Sequence, residues 1–163
     1  MKRKYKREVF AARVHWIKEL MPDAFIGVDV IAGTNGETEQ YFLDTYQFIL
    51  DLDISQLHVF PYSERPGTFA LQIPHKVPVH ERHERVKRLI DLSERKHMLF
   101  CENQLGNTRK VLFEADKKHN RMFGWTDNYI RVETGWDQHL VNRVVNFRLE
   151  KINQEGNVEG TTI

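Results

Sequence analysis

Three short stretches of this sequence combine residue types that can bind a ligand or do chemistry. The first is a loop, Ala32 to Gly36, with Gly33 and Gly36 around Thr34 and Asn35 and with Glu37 directly after it. Glycine lets a backbone approach a ligand closely, or lets it take the positive φ of a tight turn; the spacing alone fits both. Glu37 stands where a helix should begin, so its carboxylate suits capping the free amides or lining a pocket. The second stretch, Val59 to Arg65, holds Phe60, Tyr62 and Arg65 around the strand end marked by Pro61. Phe60 fits a core as well as it fits a ligand. The third carries Lys117, Lys118 and Arg121 in what reads as a basic turn, then Trp125, Thr126, Asn128, Tyr129 and Arg131. Rings that stack on bases, interleaved with cations for phosphates, are the chemistry of single-stranded or looped RNA binding. Strand alternation would set Tyr129 and Arg131 on one face. A solvated hairpin tip for the lysines and a core position for Trp125 remain equally good readings.

Other chemistries find no support. The single cysteine, Cys101, forbids an intrachain disulfide framework and fits a reducing compartment such as the cytoplasm. One thiolate cannot assemble an iron–sulfur cluster, so Cys101, late in a helix, reads as a structural thiol. His58, His75, His80 and His83 lack metal-ligand spacing, and no metal site is expected. No apolar run reaches the roughly 18 residues of a membrane span, and the basic start has no apolar segment after it, unlike a signal peptide. The net charge of +1 is uninformative about nucleic acid, yet residues 1–20 hold seven Lys/Arg against two Glu. That patch is a phosphate-facing surface or a solvated helix face.

The elements that must position these residues fall into two halves. Phe10, Val14, Ile17 and Met21 recur at helical spacing before Pro22. The run Phe25 to Ile31 predicts a parallel strand buried on both faces; its one charge, Asp29, then needs a partner or a strand-end position. A second helix carries Phe42, Tyr46, Ile49 and Leu50, and Gln56–Phe60 forms the next strand. After a Pro-rich loop, a long helix runs from near Val79 to about Asn103, with Val86, Leu89, Ile90, Ser93, His97 and Phe100 inward. This alternation is parallel α/β architecture with too few strands to close by itself. Past Gly106 the period becomes two, with strands expected at 109–115, 122–134, 143–152 and 157–163 and turns at ADKKHN, ETGWDQ and NQEGN. A small antiparallel barrel fits. The expected domains are therefore 1–103, α/β, and 104–163, all-β.

The segments DVIAGTNGETEQYFLDTYQFI (29–49) and LHVFPYSERPGT (57–68), followed by GWTDNYIRVE (124–133), carry a resemblance. Together they resemble the second half of the radical S-adenosylmethionine domain of the tRNA methylthiotransferases, followed by a TRAM domain. The match is nearest the branch acting on threonylcarbamoyladenosine 37, and it covers essentially the whole chain. Members usually show Phe-Pro where this chain has Thr34-Asn35. The resemblance implies the end of a partial TIM-like domain plus an RNA-binding TRAM barrel. It implies S-adenosylmethionine as the ligand of Gly33, Gly36 and Glu37, with the Val59–Tyr62 backbone and Phe60 on the adenine side and Arg65 on a polar group of cofactor or substrate. It also implies two [4Fe–4S] clusters in the whole enzyme, whose ligands this chain lacks.

The function so implied is methylthio transfer to C2 of the modified adenosine by a longer protein. This chain would supply part of the cofactor pocket and the grip on the tRNA anticodon stem-loop, and would be inert alone. A non-catalytic RNA-binding module with an α/β appendage is the alternative. An open sheet edge would favour non-native oligomers in either case.

Overall fold

The computed structural model describes residues 6–163, so the first five residues of the basic start lie outside the described residues. The chain divides into two units, Met1–His97 and Met98–Ile163. The first unit contains α1 (Arg7–Leu20), β1 (Gly27–Ala32), α2 (Glu39–Asp51), β2 (Gln56–Pro61) and a 3-10 turn at Phe69–Gln72. Helix α3 (Val79–Gln104) begins in this unit and ends in the second. The strands pair in parallel, from Gly27 beside Gln56 to Ala32 beside Pro61.

Periodicity explains which faces are covered. Val28, Val30, Ala32, Leu57 and Val59 join Val14 of α1, Phe42 and Ile49 of α2, and Leu89 and Leu92 of α3 in one core. Ser93 fastens α3 to β2: its hydroxyl accepts from the Leu57 amide at 2.8 Å and donates to the Leu57 carbonyl at 3.0 Å. The opposite sheet face is open, because the helices pack on one side only. β1 is thus not buried on both faces: Gly27, Asp29 and Ile31 alternate outward, as do His58 and Phe60 on β2. Asp29 is accordingly exposed, in mid-strand, and burial demands no partner of it. Leu50 and Ile90 also face outward, and Leu92 takes the inward place expected of Ile90. Helix α2 is capped by Thr38, whose side chain accepts from the Tyr41 amide at 3.2 Å, and not by Glu37.

The second unit is a closed barrel of β3 (Thr108–Lys118), β4 (Arg121–Thr126), β5 (Arg131–Gly135), β6 (Val144–Ile152) and β7 (Val158–Thr162), in the order β3-β4-β5-β7-β6. Its pairs are antiparallel except β5–β7, which closes the barrel in parallel. Val111, Phe113, Met122, Ile130, Val132, Phe147, Leu149 and Val158 fill the interior, with the Phe113 and Phe147 rings edge-on at 5.5 Å. Two local expectations change. Lys117 and Lys118 lie in β3, and the turn is His119-Asn120, both at positive φ (49° and 60°), the geometry of a two-residue hairpin. The stretch 122–134 is two strands, broken where Tyr129 adopts φ 62°.

Two barrel glycines are there because backbone passes too closely for a side chain. A Cβ at Gly160 would overlap the Arg148 carbonyl oxygen, and one at Gly124 would lie 2.7 Å from the Leu112 carbonyl. Gly160→Ala should destabilise the protein by about 1–3 kcal/mol, the usual cost of overpacking, read as a lower urea midpoint. Unchanged stability would mean that β6 and β7 do not approach as described.

Candidate ligand and nucleic-acid surfaces

At the carboxyl ends of β1 and β2 the chain brings Gly33 beside Tyr62, whose amide donates to the Ala32 carbonyl at 2.8 Å. Gly33 and Gly36 both have positive φ, 78° and 88°, so the tight turn is real. Its amides are engaged within the protein. The Gly33 amide donates to Glu37 Oε2 at 2.7 Å, and the Gly36 amide donates to the His75 carbonyl at 2.7 Å. Glu37 Oε2 also accepts from Arg85 Nη1 at 2.9 Å, and the same nitrogen donates to the Glu37 carbonyl at 2.9 Å. Arg85 is buried and is surrounded by Glu37, Glu39 and Glu81. Arg82 lies against the Cα of Gly33 and binds the Val77 and Tyr62 carbonyls at 2.9 and 3.3 Å, with its guanidinium over the Tyr62 ring.

Asn35 secures the loop from the other side, its Nδ2 donating to the Ala70 carbonyl at 3.0 Å. Its Oδ1 is buried with no partner among the described residues, an orphan acceptor suited to a ligand N–H. Val59 points into the core, so only its backbone is available at the strand end. Phe60 is 52% exposed on the open sheet face, next to Ile31. Arg65 is exposed, and its guanidinium has no carboxylate partner among the described residues.

On the barrel, the predicted RNA-binding residues sort into two kinds. Arg121 is held by two carboxylates, Glu133 at 2.7 Å and Glu159 at 2.6 Å. Thr126 and Asn128 are buried and lock the turn: the Thr126 hydroxyl donates to Asn128 Oδ1 at 2.7 Å and accepts from the Ile130 amide at 2.8 Å. Neither side chain is displayed at the surface for base contacts. Trp125 is outside the barrel, not in its core, and its indole N–H donates to Glu114 at 3.2 Å. Arg131 stacks between the Phe123 and Trp125 rings, at 5.1 and 4.9 Å, and pairs with Glu114 at 2.8 Å. Tyr129 is exposed in its turn, so strand alternation does not relate it to Arg131. Lys118 is exposed, and Lys117 is exposed beside the Trp136 ring.

Glu114 and Arg85 are the residues that sequence reasoning missed. The outward parity of β3 would have found Glu114; no local pattern ties Arg85 to a loop 48 residues earlier. The Arg131 hydrogen bond chiefly, together with its charge and the Trp125 N–H, holds Glu114 below the usual glutamate range. Burial alone would raise Glu133, but hydrogen bonds from Arg121, Asn157 and Asn153 outweigh it and set its pKa low.

Cys101 is buried, and burial first, then the neighbouring Glu102 charge, pushes its thiol up to about 11. Among the described residues no group of three His, Cys, Asp or Glu could hold a metal ion. No helix is long and apolar enough to cross a membrane among the described residues.

No protein-family profile matches the chain. Individual curated proteins do. Threonylcarbamoyladenosine tRNA methylthiotransferase MtaB of Bacillus subtilis is 35% identical over 155 residues, 93% of this chain and 34% of that protein. The tRNA-2-methylthio-N(6)-dimethylallyladenosine synthase of Symbiobacterium thermophilum is 37% identical over 153 residues, 93% of this chain and 33% of its own length. Threonylcarbamoyladenosine tRNA methylthiotransferase MtaB of Aquifex aeolicus is 38% identical over 133 residues, 82% of this chain and 31% of its own. The chain spans about a third of the length of these relatives.

Because the folded pKa of Glu133 is lowered, its contribution is complete above the ordinary glutamate pKa, about 4.3. It is lost as pH falls through the lower folded value. Urea midpoints from neutral to acid pH should fall more steeply for the native chain than for Glu133→Gln; parallel curves would remove Glu133 from the acid response. Cys101 should resist iodoacetamide at mildly alkaline pH until the chain is unfolded, and rapid labelling of folded protein would contradict its burial.

Proposed function

Because this chain belongs to the tRNA methylthiotransferase family, we propose that it is the carboxyl-terminal, tRNA-gripping portion of such an enzyme. The observation that carries this reading is the identity of 35% and 37% over 93% of the chain to proteins named as tRNA-methylthio enzymes. We read the parent reaction as methylthio transfer to C2 of threonylcarbamoyladenosine 37; the Bacillus subtilis and Aquifex aeolicus relatives are named for threonylcarbamoyladenosine and the Symbiobacterium thermophilum one for dimethylallyladenosine. S-adenosylmethionine, when bound, supplies the methyl group and the radical. The two [4Fe–4S] clusters do not fit this chain, whose single thiol is buried and protonated at neutral pH. No step of the reaction is assigned to its residues.

For the adenosyl group the fit is partial. Phe60 offers an exposed ring, Arg65 an uncommitted cation and Asn35 Oδ1 an orphan acceptor. Gly33 and Glu37 shape the loop from within through their hydrogen bond and Arg85, and Gly36 through its bond to the His75 carbonyl. We read the α/β unit as the end of a partial TIM-like radical domain and the barrel as a TRAM domain. Lys117, Lys118, Trp125 and Tyr129 face solvent for an anticodon stem-loop, while Arg121, Thr126 and Asn128 hold the barrel in shape. Among the described residues the outer edge of β1 in the two-stranded sheet has no strand partner, which favours association of the chain by itself.

The rival, an RNA-binding module without chemistry, is favoured by the lone buried thiol. Both readings require RNA binding, and the enzyme reading requires tRNA. The chain should bind a tRNA anticodon stem-loop with an affinity that falls as salt rises, measured by filter binding at two ionic strengths; no binding at low salt would sink the tRNA reading. Anaerobic incubation with iron and sulfide should give no cluster chromophore, and a stoichiometric one would overturn the exclusion of the clusters.

A further inference from the structure

The outer face of the barrel carries a row of side chains at one level across four strands. Register sets Arg131 of β5 beside Trp125 of β4, Trp125 beside Leu112 of β3, and Leu112 beside Val144 of β6. Each lies on the outward parity of its strand, since Val111, Phe113, Met122 and Phe147 take the interior. Trp125, Leu112 and Val144 are 43%, 50% and 62% exposed, so the three form one contiguous apolar patch on the surface. At strand spacings of about 4.8 Å the apolar part of the row spans roughly 10 Å.

We propose that the row Trp125–Leu112–Val144 is a stacking platform for unpaired RNA bases. This rests on the tRNA-binding reading above and names the part of the ligand that this face takes. Three observations carry it. The Trp125 ring is fixed before any ligand arrives, by the Arg131 guanidinium on it and by its hydrogen bond to Glu114. Arg131 is neutralised by Glu114 at 2.8 Å, so the row itself is not a phosphate site. Cations stand alongside on the same face: Lys110 lies two residues from Leu112 along β3, and Arg148 lies four from Val144 along β6. Both are exposed, and neither has a carboxylate partner among the described residues.

An exposed apolar row with flanking cations is the arrangement that holds a single strand, bases on the apolar side chains and phosphates on the cations. A protein partner fits less well. A stable interface buries about 800 Å² on each side, and this row is three side chains wide with polar neighbours Lys110, Asn146 and Arg148 along it.

The test uses the whole chain, a short fluorescein-labelled oligouridylate, a blunt RNA duplex and the tRNA anticodon stem-loop, read by anisotropy over a salt series. The oligouridylate should bind better than the duplex. Trp125→Ala and Leu112→Ser should each weaken it about 10-fold with the salt slope unchanged, as loss of a stacked base does. Lys110→Gln with Arg148→Gln should instead flatten the slope. Trp125→Phe should retain most of the affinity, and Leu112→Ser and Val144→Ser, both at exposed positions, keep the test valid if Trp125→Ala does not fold. If wild type binds the stem-loop and these variants bind oligouridylate as wild type does, the platform is overturned and the tRNA reading stands. If wild type binds neither RNA, both fall. Self-association lost in Leu112→Ser, with RNA affinity unchanged, would assign the row to a second copy and overturn the proposal.

Discussion

The α/β unit depends on one buried ion pair. Arg85 comes from α3, is almost entirely buried, and places its guanidinium against the Glu37 carboxylate and carbonyl, with Glu39 and Glu81 close by. A buried guanidinium without such partners would be very costly, and removing one partner of a buried pair usually destabilises strongly. Glu37 in turn holds the Gly33 amide. The Gly33 amide at the start of the loop and Arg85 on α3 are therefore tied together through a single carboxylate. Glycine at position 33 is required twice over, once by the positive φ of the turn and once because the Arg82 side chain fills the space a Cβ would need.

The barrel repeats this logic with different residues. Glu133 is buried, yet its pKa is lowered, because Arg121, Asn157 and Asn153 surround it with donors. Arg121 bridges from Glu133 on β5 to Glu159 on β7, the two strands whose parallel pairing closes the barrel. Parallel closure has only two residue pairs, Val132 with Val158 and Glu133 with Glu159, so a charged clamp at that seam supports the shortest ladder in the unit. In both units, then, residues whose types suggested ligand binding are engaged in holding the fold. What faces solvent is a smaller set: Phe60 and Arg65 in one unit, and Lys117, Lys118, Tyr129 and the Trp125 row with its flanking cations in the other.

Much of this was legible in the sequence. Helical spacing located α1, α2 and α3, the two parallel strands were read within a residue or two, and the change of period after Gly106 marks the barrel. Three things were not. An apolar run such as FIGVDVI does not say which of its faces is covered; here helices pack on one side, so Asp29 and Ile31 are outside. A turn without glycine is hard to see, and Tyr129 at φ 62° splits a stretch that reads as one strand. Ion pairs between distant positions leave no local trace. Lys117 and Arg121 look alike in sequence, yet one lies against a tryptophan ring and the other is clamped between two acids.

The uncommitted groups in the two units have the same chemistry. Phe60 pairs in register with Ile31 to give an exposed aromatic–aliphatic step with the exposed Arg65 after it in sequence. Trp125 pairs with Leu112 to give another, with Lys110 along the strand. Exposed apolar surface beside a cation suits a nucleoside that carries negative charge, and it contacts the ring without reading the base edge. Such surfaces hold and orient; they do not activate. The single thiol, Cys101, is buried and protonated at neutral pH. The division of labour proposed for this family member follows from that contrast: recognition of nucleosides by this chain, and radical chemistry at thiolate-bound clusters for which these residues supply no ligands.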